Sequence, residues 1–208
     1  MAMNPKILLV YYSRSGNTRV LAEALIQKLG CEWVELRPKT NYPTGAWGFL
    51  KALLHSMTGR LPEIEVIGKR PESYELVIVG GPIWGGRVAT PVRSFLRGHQ
   101  KNLKRVAFFA TQGGTRAGER AMERMQSDAG IPPRASLVIP ERDLRGHSLK
   151  NSIHGFLARL NPILNEIQGP LRPGLKIQTS GARAGDQLEH ESARFLSASG
   201  SGRAQNPK

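Results

Sequence analysis

The chain's 208 residues suffice for one domain with a single substantial core and leave too little for a second full domain. With 39% apolar and 22% charged residues, and no apolar run near the ~20 residues that cross a bilayer, the composition is that of a soluble globular protein rather than a membrane-spanning one. A formal charge of +14 predicts a surface that attracts anions such as nucleotides, nucleic acid or acidic headgroups. The one cysteine, Cys31, excludes an intramolecular disulfide and a thiolate-cluster metal site, and fits a reducing cytoplasm. Met1–Lys6 is too short and polar for a secretory signal, because the apolar run of the first strand begins at once.

Lys6–Tyr12 (KILLVYY) is almost unbroken in its apolar character and rich in β-formers, as expected of a central parallel strand covered on both faces. Thr18–Gly30 then places Val20, Leu21, Ala24, Leu25 and Leu29 at helical spacing, with Gly30 to end the helix. Cys31–Leu36 alternates and is half apolar, which suits a strand nearer the sheet edge. Further strands are predicted at Tyr74–Val79, Val106–Ala110 and Ser136–Ile139, separated by helical periodicity at Pro91–Leu96, Gly118–Met125 and Leu149–Ile167. Strand and helix thus alternate five times, which predicts a parallel sheet with helices on both faces joined by right-handed crossovers.

Two segments depart from this rhythm. Between the second and third strands, Arg37–Ser73 holds one helix with long flanking loops, its Trp47, Leu50, Leu53, Leu54 and Met57 at helical spacing. Tyr42, Trp47 and Phe49 there are most simply packing or dimer-interface residues, with a substrate lid as the sharper alternative. From Gly169 onward Gly, Pro, Ser, Ala, Arg and Gln dominate, so 1–168 is expected to be the domain and 169–208 a disordered basic tail. The basic character belongs mainly to the domain, where 24 Lys and Arg face 13 Asp and Glu.

Three stretches that follow strands carry the chemistry. Ser13-Arg14-Ser15-Gly16-Asn17-Thr18 leads from the first strand into a helix. The hydroxyls of Ser13, Ser15 and Thr18, the Asn17 amide and the backbone N–H groups could surround a phosphate, with Gly16 permitting close approach and the helix dipole attracting the anion. Residues of this kind also serve as plain helix caps. At the third strand's end stands Gly80-Gly81-Pro82-Ile83-Trp84-Gly85-Gly86-Arg87, in which a tryptophan among glycines is expected to be exposed and to want a planar stacking partner. A core lid or dimer contact is the alternative there. Thr111-Gln112-Gly113-Gly114 closes the fourth strand and could offer backbone groups to the same ligand. In an open α/β sheet such loops converge in the crevice at the strands' carboxyl ends.

Through SRSGNT, GGPIWGG and TQGG the sequence resembles the flavodoxins and flavodoxin-like oxidoreductases over Pro5–Gln168. The resemblance implies a three-layer, doubly wound, five-stranded parallel sheet of order 2-1-3-4-5, with FMN as cofactor. It assigns Ser13, Arg14, Ser15, Gly16, Asn17 and Thr18 to the FMN phosphate, and Pro82, Ile83, Trp84, Gly85 and Gly86 to the flavin ring and ribityl chain. Thr111, Gln112, Gly113 and Gly114 would line the other side. The dedicated electron carriers of the family have an acidic surface and an acidic third loop with a tyrosine, whereas this chain reads TQGGTRAGER, with Arg116 and Arg120. Basic groups near the ring favour the anionic reduced flavin and raise its potential.

The resemblance is therefore closer to reductases that use NAD(P)H to reduce quinones or similar acceptors. The flavin does the chemistry in such enzymes, so no catalytic side chain and no metal site is expected; His55, His99, His147, His154 and His190 show no ligand spacing. Small-molecule or protein electron donors and acceptors are the expected partners, and the resemblance leaves a homodimer open. An electron carrier is the alternative function. A non-redox module binding anions or nucleic acid is the alternative of another class, and the intact phosphate and ring loops argue against it.

Overall fold

The computed structural model describes residues 4–39, 61–65, 67–114 and 118–168. Strand β1 (Asn4–Tyr11) is followed by helix α1 (Asn17–Leu29) and strand β2 (Cys31–Glu35), then by β3 (Leu76–Trp84) and the short β4 (Arg87–Val88). Helix α2 (Thr90–His99), strand β5 (Val106–Gln112), helix α3 (Gly118–Ala129), strand β6 (Pro133–Pro140) and helix α4 (Gly146–Gln168) complete the order. The predicted insert helix around Trp47–Met57 and the predicted tail lie outside the described residues.

The five long strands are parallel, in the order β2-β1-β3-β5-β6, and β4 pairs antiparallel with β3 alone. With β4 set aside this is the expected 2-1-3-4-5 order, reversing at β1 and β3. Neighbouring side chains along a strand point to opposite faces, and the apolar strands use both. Ile7, Leu9, Ile78, Phe109 and Leu137 pack with Leu21 and Leu25 of α1 and with Phe156 and Leu160 of α4. Leu8, Val10, Val77, Val79 and Phe108 pack with Val92, Phe95 and Leu96 of α2 and with Met125 and Ala129 of α3. The result is a sheet between two helical layers, each with its own buried apolar cluster.

Several element ends differ from their expected positions. Helices α2, α3 and α4 run longer than their apolar spacing indicated, because polar residues such as Arg97, His99 and Ser127 continue them. The largest difference is in β3, expected to stop at Val79 and observed to continue through Gly80-Gly81-Pro82-Ile83-Trp84. A Cβ on Gly80 would fall 2.3 Å from the Phe109 ring, and one on Gly81 would fall 2.6 Å from Val92 Cγ2. These two glycines are thus packing residues, letting Phe109 and α2 close on opposite faces of the strand.

Pro82 fits within the sheet for a related reason. Gly80 faces β1, since its carbonyl accepts the Tyr12 N–H at 3.0 Å, so Pro82 faces the same side two residues on. β1 has ended by then, its last residue Tyr11 lying beside Gly80, and the missing proline N–H costs no ladder bond.

Candidate functional site at the carboxyl edge of the sheet

All three predicted stretches meet at one edge. Tyr11 of β1 is in register with Gly80, while Pro82 and Ile83 of β3 lie beside Thr111 and Gln112 of β5. This edge also holds the topological switch, since β1 leads outward to β2 while β3 leads the other way to β5.

The first stretch turns from β1 into α1 around Gly16, which has φ 92° and ψ −21° and precedes the first helical residue. A side chain at that φ would be strained, although a Cβ there would meet open space. Gly16 cannot cap the helix with a side chain, and Ser13 does so from upstream, its Oγ accepting the Arg19 N–H at 3.1 Å. The first N–H groups of a helix have no partner within it and carry the positive end of its dipole. Acidic residues favour such a position, yet the first turn of α1 contains none. Ser15 is exposed, while Ser13, Arg14, Gly16 and Asn17 are half-buried around the turn.

Thr18 differs from its neighbours. It is buried, and its hydroxyl lies 2.8 Å from that of buried Thr111, across the sheet's edge. The first and third stretches are therefore bonded to each other.

In the second stretch, Gly85 (φ 54°) and Gly86 (φ 74°) form a two-residue turn between Trp84 and Arg87, which pair across β3 and β4. Positive φ at both central residues suits a tight hairpin and selects glycine. Trp84 is half-buried rather than fully exposed: its ring meets Tyr12 edge-on, with centroids 6.2 Å apart at 89°, and it packs on the α2–α3 apolar cluster. The core lid weighed against a stacking partner thus accounts for part of this ring. Arg124 of α3 donates to the Gly86 carbonyl at 3.4 Å, holding the hairpin against α3.

The third stretch is strand up to Gln112 and exposed at Gly113 and Gly114, where added Cβ atoms would meet open space. Gln112 is buried, and its Oε1 has no hydrogen-bond partner. A buried amide oxygen without a donor is costly, and this one lies against the start of α3, 3.5 Å from where a Cβ on Gly118 would sit.

The hairpin strand β4, the Thr18–Thr111 pair and the Arg124 contact were missed by sequence reasoning. Gly85-Gly86 before Arg87-Val88 is a hairpin signal that could have revealed β4. Nothing local signals a hydroxyl pair separated by 93 positions. Cys31 is buried under α1, which pushes its thiol up to about 12 and leaves it far from thiolate chemistry at neutral pH.

A family model described as flavodoxin matches residues 6–135. The chain belongs to the flavodoxin family. Among solved structures, the crystal structure of a flavoprotein from Lactobacillus acidophilus in complex with FMN is 25% identical and has a TM-score of 0.58. The match covers 64% of this chain and 93% of that one. The NMR structure of the apo form of the Lactobacillus acidophilus flavoprotein is 26% identical over 67% of this chain and 93% of that one, with a TM-score of 0.51. A Bacteroides eggerthii protein shares the fold at 23% identity and a TM-score of 0.60, over 77% of this chain and 98% of its own. No curated protein matches the chain in sequence.

Among the described residues, no helix is long and apolar enough to cross a membrane, and no cluster of three or more His, Cys, Asp or Glu could hold a metal.

Proposed function

We propose that the carboxyl edge of the sheet binds FMN and that the protein is an FMN-dependent oxidoreductase passing electrons from NAD(P)H to a quinone or similar acceptor. The observation that carries the reading is the meeting, at the topological switch of the sheet, of a helix start without acidic residues and the glycine-rich ends of β3 and β5. FMN has a phosphate dianion at one end, which suits the N–H groups at the start of α1, and a planar ring at the other, which suits the glycine-rich strand ends. Family membership and the FMN complex of the Lactobacillus acidophilus flavoprotein support the same cofactor.

In this reading the turn Ser13–Thr18 holds the phosphate, with Ser13 fixing the first turn of α1 and Gly16 allowing close approach. Pro82, Ile83, Trp84, Gly85 and Gly86 line one side of the flavin, and Gln112, Gly113, Gly114 and the backbone of Thr111 the other. When bound, FMN supplies the hydride or electron transfer. The protein's part is to bind, orient and exclude water: Phe109 and Val92 keep the strand beneath the site dry and closely packed.

Reductase is favoured over carrier by the positive charge beside the ring loops. Arg124 is bonded to the Gly86 carbonyl, and Arg120 lies one turn earlier on α3. Cations there stabilise anionic reduced flavin and work against a very low potential. The cytoplasm is the proposed location, consistent with a lone, buried cysteine.

The test is turnover by the FMN-loaded protein with NADH or NADPH and a small quinone. Oxidation that depends on both protein and quinone is expected. Electron delivery only when a separate reductase is added would make the protein a carrier instead.

A further inference from the structure

We propose that Thr111 is a positioning residue for the phosphate loop: its buried hydroxyl donates to that of Thr18, leaving the Thr18 proton directed to an anion at the start of α1. This deepens the FMN reading above and rests on it. On β5, Ala107 and Phe109 face the α1 layer, and the alternation places Thr111 on that same face at the crevice. Thr111 is completely buried and Thr18 nearly so, and their oxygens are 2.8 Å apart.

Two hydroxyls in contact hold two protons, and their mutual bond uses one. If Thr18 donated, its proton would be spent inside the protein and the first turn of α1 would lose a side-chain donor. If Thr111 donates, Thr18 accepts on one side and gives on the other, and a hydroxyl that accepts becomes a stronger donor. The pair also pins the α1 N-terminus to a strand 93 positions away, fixing the N–H groups of that turn against the ring side of the site. Thr111 would thus set phosphate affinity without touching phosphate.

The experiment measures dissociation constants of the full chain for FMN and for riboflavin, which lacks the phosphate, in wild type, Thr111→Val and Thr111→Ser. Thr111→Val keeps the shape and removes the hydroxyl. Thr18 keeps its hydroxyl but loses the neutral bond that orients it, so FMN is expected to weaken by about fivefold, the worth of one such bond, and riboflavin to stay within about twofold. Thr111→Ser keeps the hydroxyl and is expected to bind FMN like wild type. Unchanged FMN affinity in Thr111→Val, equal loss of both ligands, or a loss in Thr111→Ser as large as that in Thr111→Val would each overturn the inference while leaving FMN binding intact. A wild type that binds neither ligand would instead overturn the function on which it rests. If Thr111→Val does not fold, as judged by circular dichroism, Thr111→Ala, which also removes the hydroxyl, is measured in its place with the same expected and overturning results.

Discussion

Helices α2 and α3 are joined by a charged cluster whose loss has a calculable cost. Asp128 accepts from Arg93 Nε at 2.8 Å and from Arg97 Nε at 2.5 Å, so two guanidiniums share one carboxylate. Arg93 and Asp128 are 7% and 4% exposed, whereas the Arg97 side chain is 51% exposed, and Arg93 Nη1 already lacks a partner. Asp128→Asn therefore strands a buried cation, and breaking a buried pair from one side costs about 3–5 kcal/mol. For a domain of this size that lowers the melting temperature by roughly 10 °C, at about 2–4 °C per kcal/mol. Arg97→Ala removes only a solvent-screened contact and should cost under about 1 kcal/mol. Replacing the buried pair together, Arg93→Met with Asp128→Leu, should recover most of the loss, because no uncompensated charge remains. Urea unfolding followed by circular dichroism reads all of these. An Asp128→Asn variant within about 1 kcal/mol of wild type would refute the argument, since that is the range of an exposed pair.

Gly80→Ala drives a methyl into the Phe109 ring, and overpacking of this kind should destabilise by about 1–3 kcal/mol. Thermal melts of Gly80→Ala with and without Phe109→Leu check this, with the double variant expected to be the more stable of the two. Burial raises the Cys31 thiol to about 12, so native protein at pH 8 should resist alkylation that proceeds readily in urea. The folded thiol holds its proton more tightly than the unfolded one. Its contribution to stability is complete below the ordinary value of 9.0 and fades as pH rises toward 12, which unfolding midpoints of wild type and Cys31→Ala would reveal as converging.

The centre of the sheet was legible because β1, β3 and β5 are buried on both faces, and runs such as Ile7–Val10 and Leu76–Val79 announce that burial by composition alone. The switch point and its three loops followed from the alternation of strand and helix and from the motifs. Misplacement of the β3 end has a specific cause: glycine and proline ordinarily break strands, whereas here Phe109 and Val92 demand small residues and β1 has already ended beside Pro82. Trp84 was expected to lie in the open because its sequence neighbours are glycines. Tyr12, just past the end of β1, covers its edge. Thr18 and Thr111, like Arg93 and Asp128, are polar residues matched only in the folded chain, and pairing across the fold leaves no local pattern.

FMN binding by the Ser13–Thr18 turn together with the ends of β3 and β5 is the proposal on which the rest depends. It is tested most directly by the visible absorption spectrum of the purified chain after FMN is added and the excess removed, with Trp84→Ala and Gly16→Val measured alongside. A retained flavin spectrum is expected in the wild type and a weakened one in both variants, with Gly16→Val impaired because the backbone there requires φ 92°. A colourless wild-type protein after removal of the excess would contradict it.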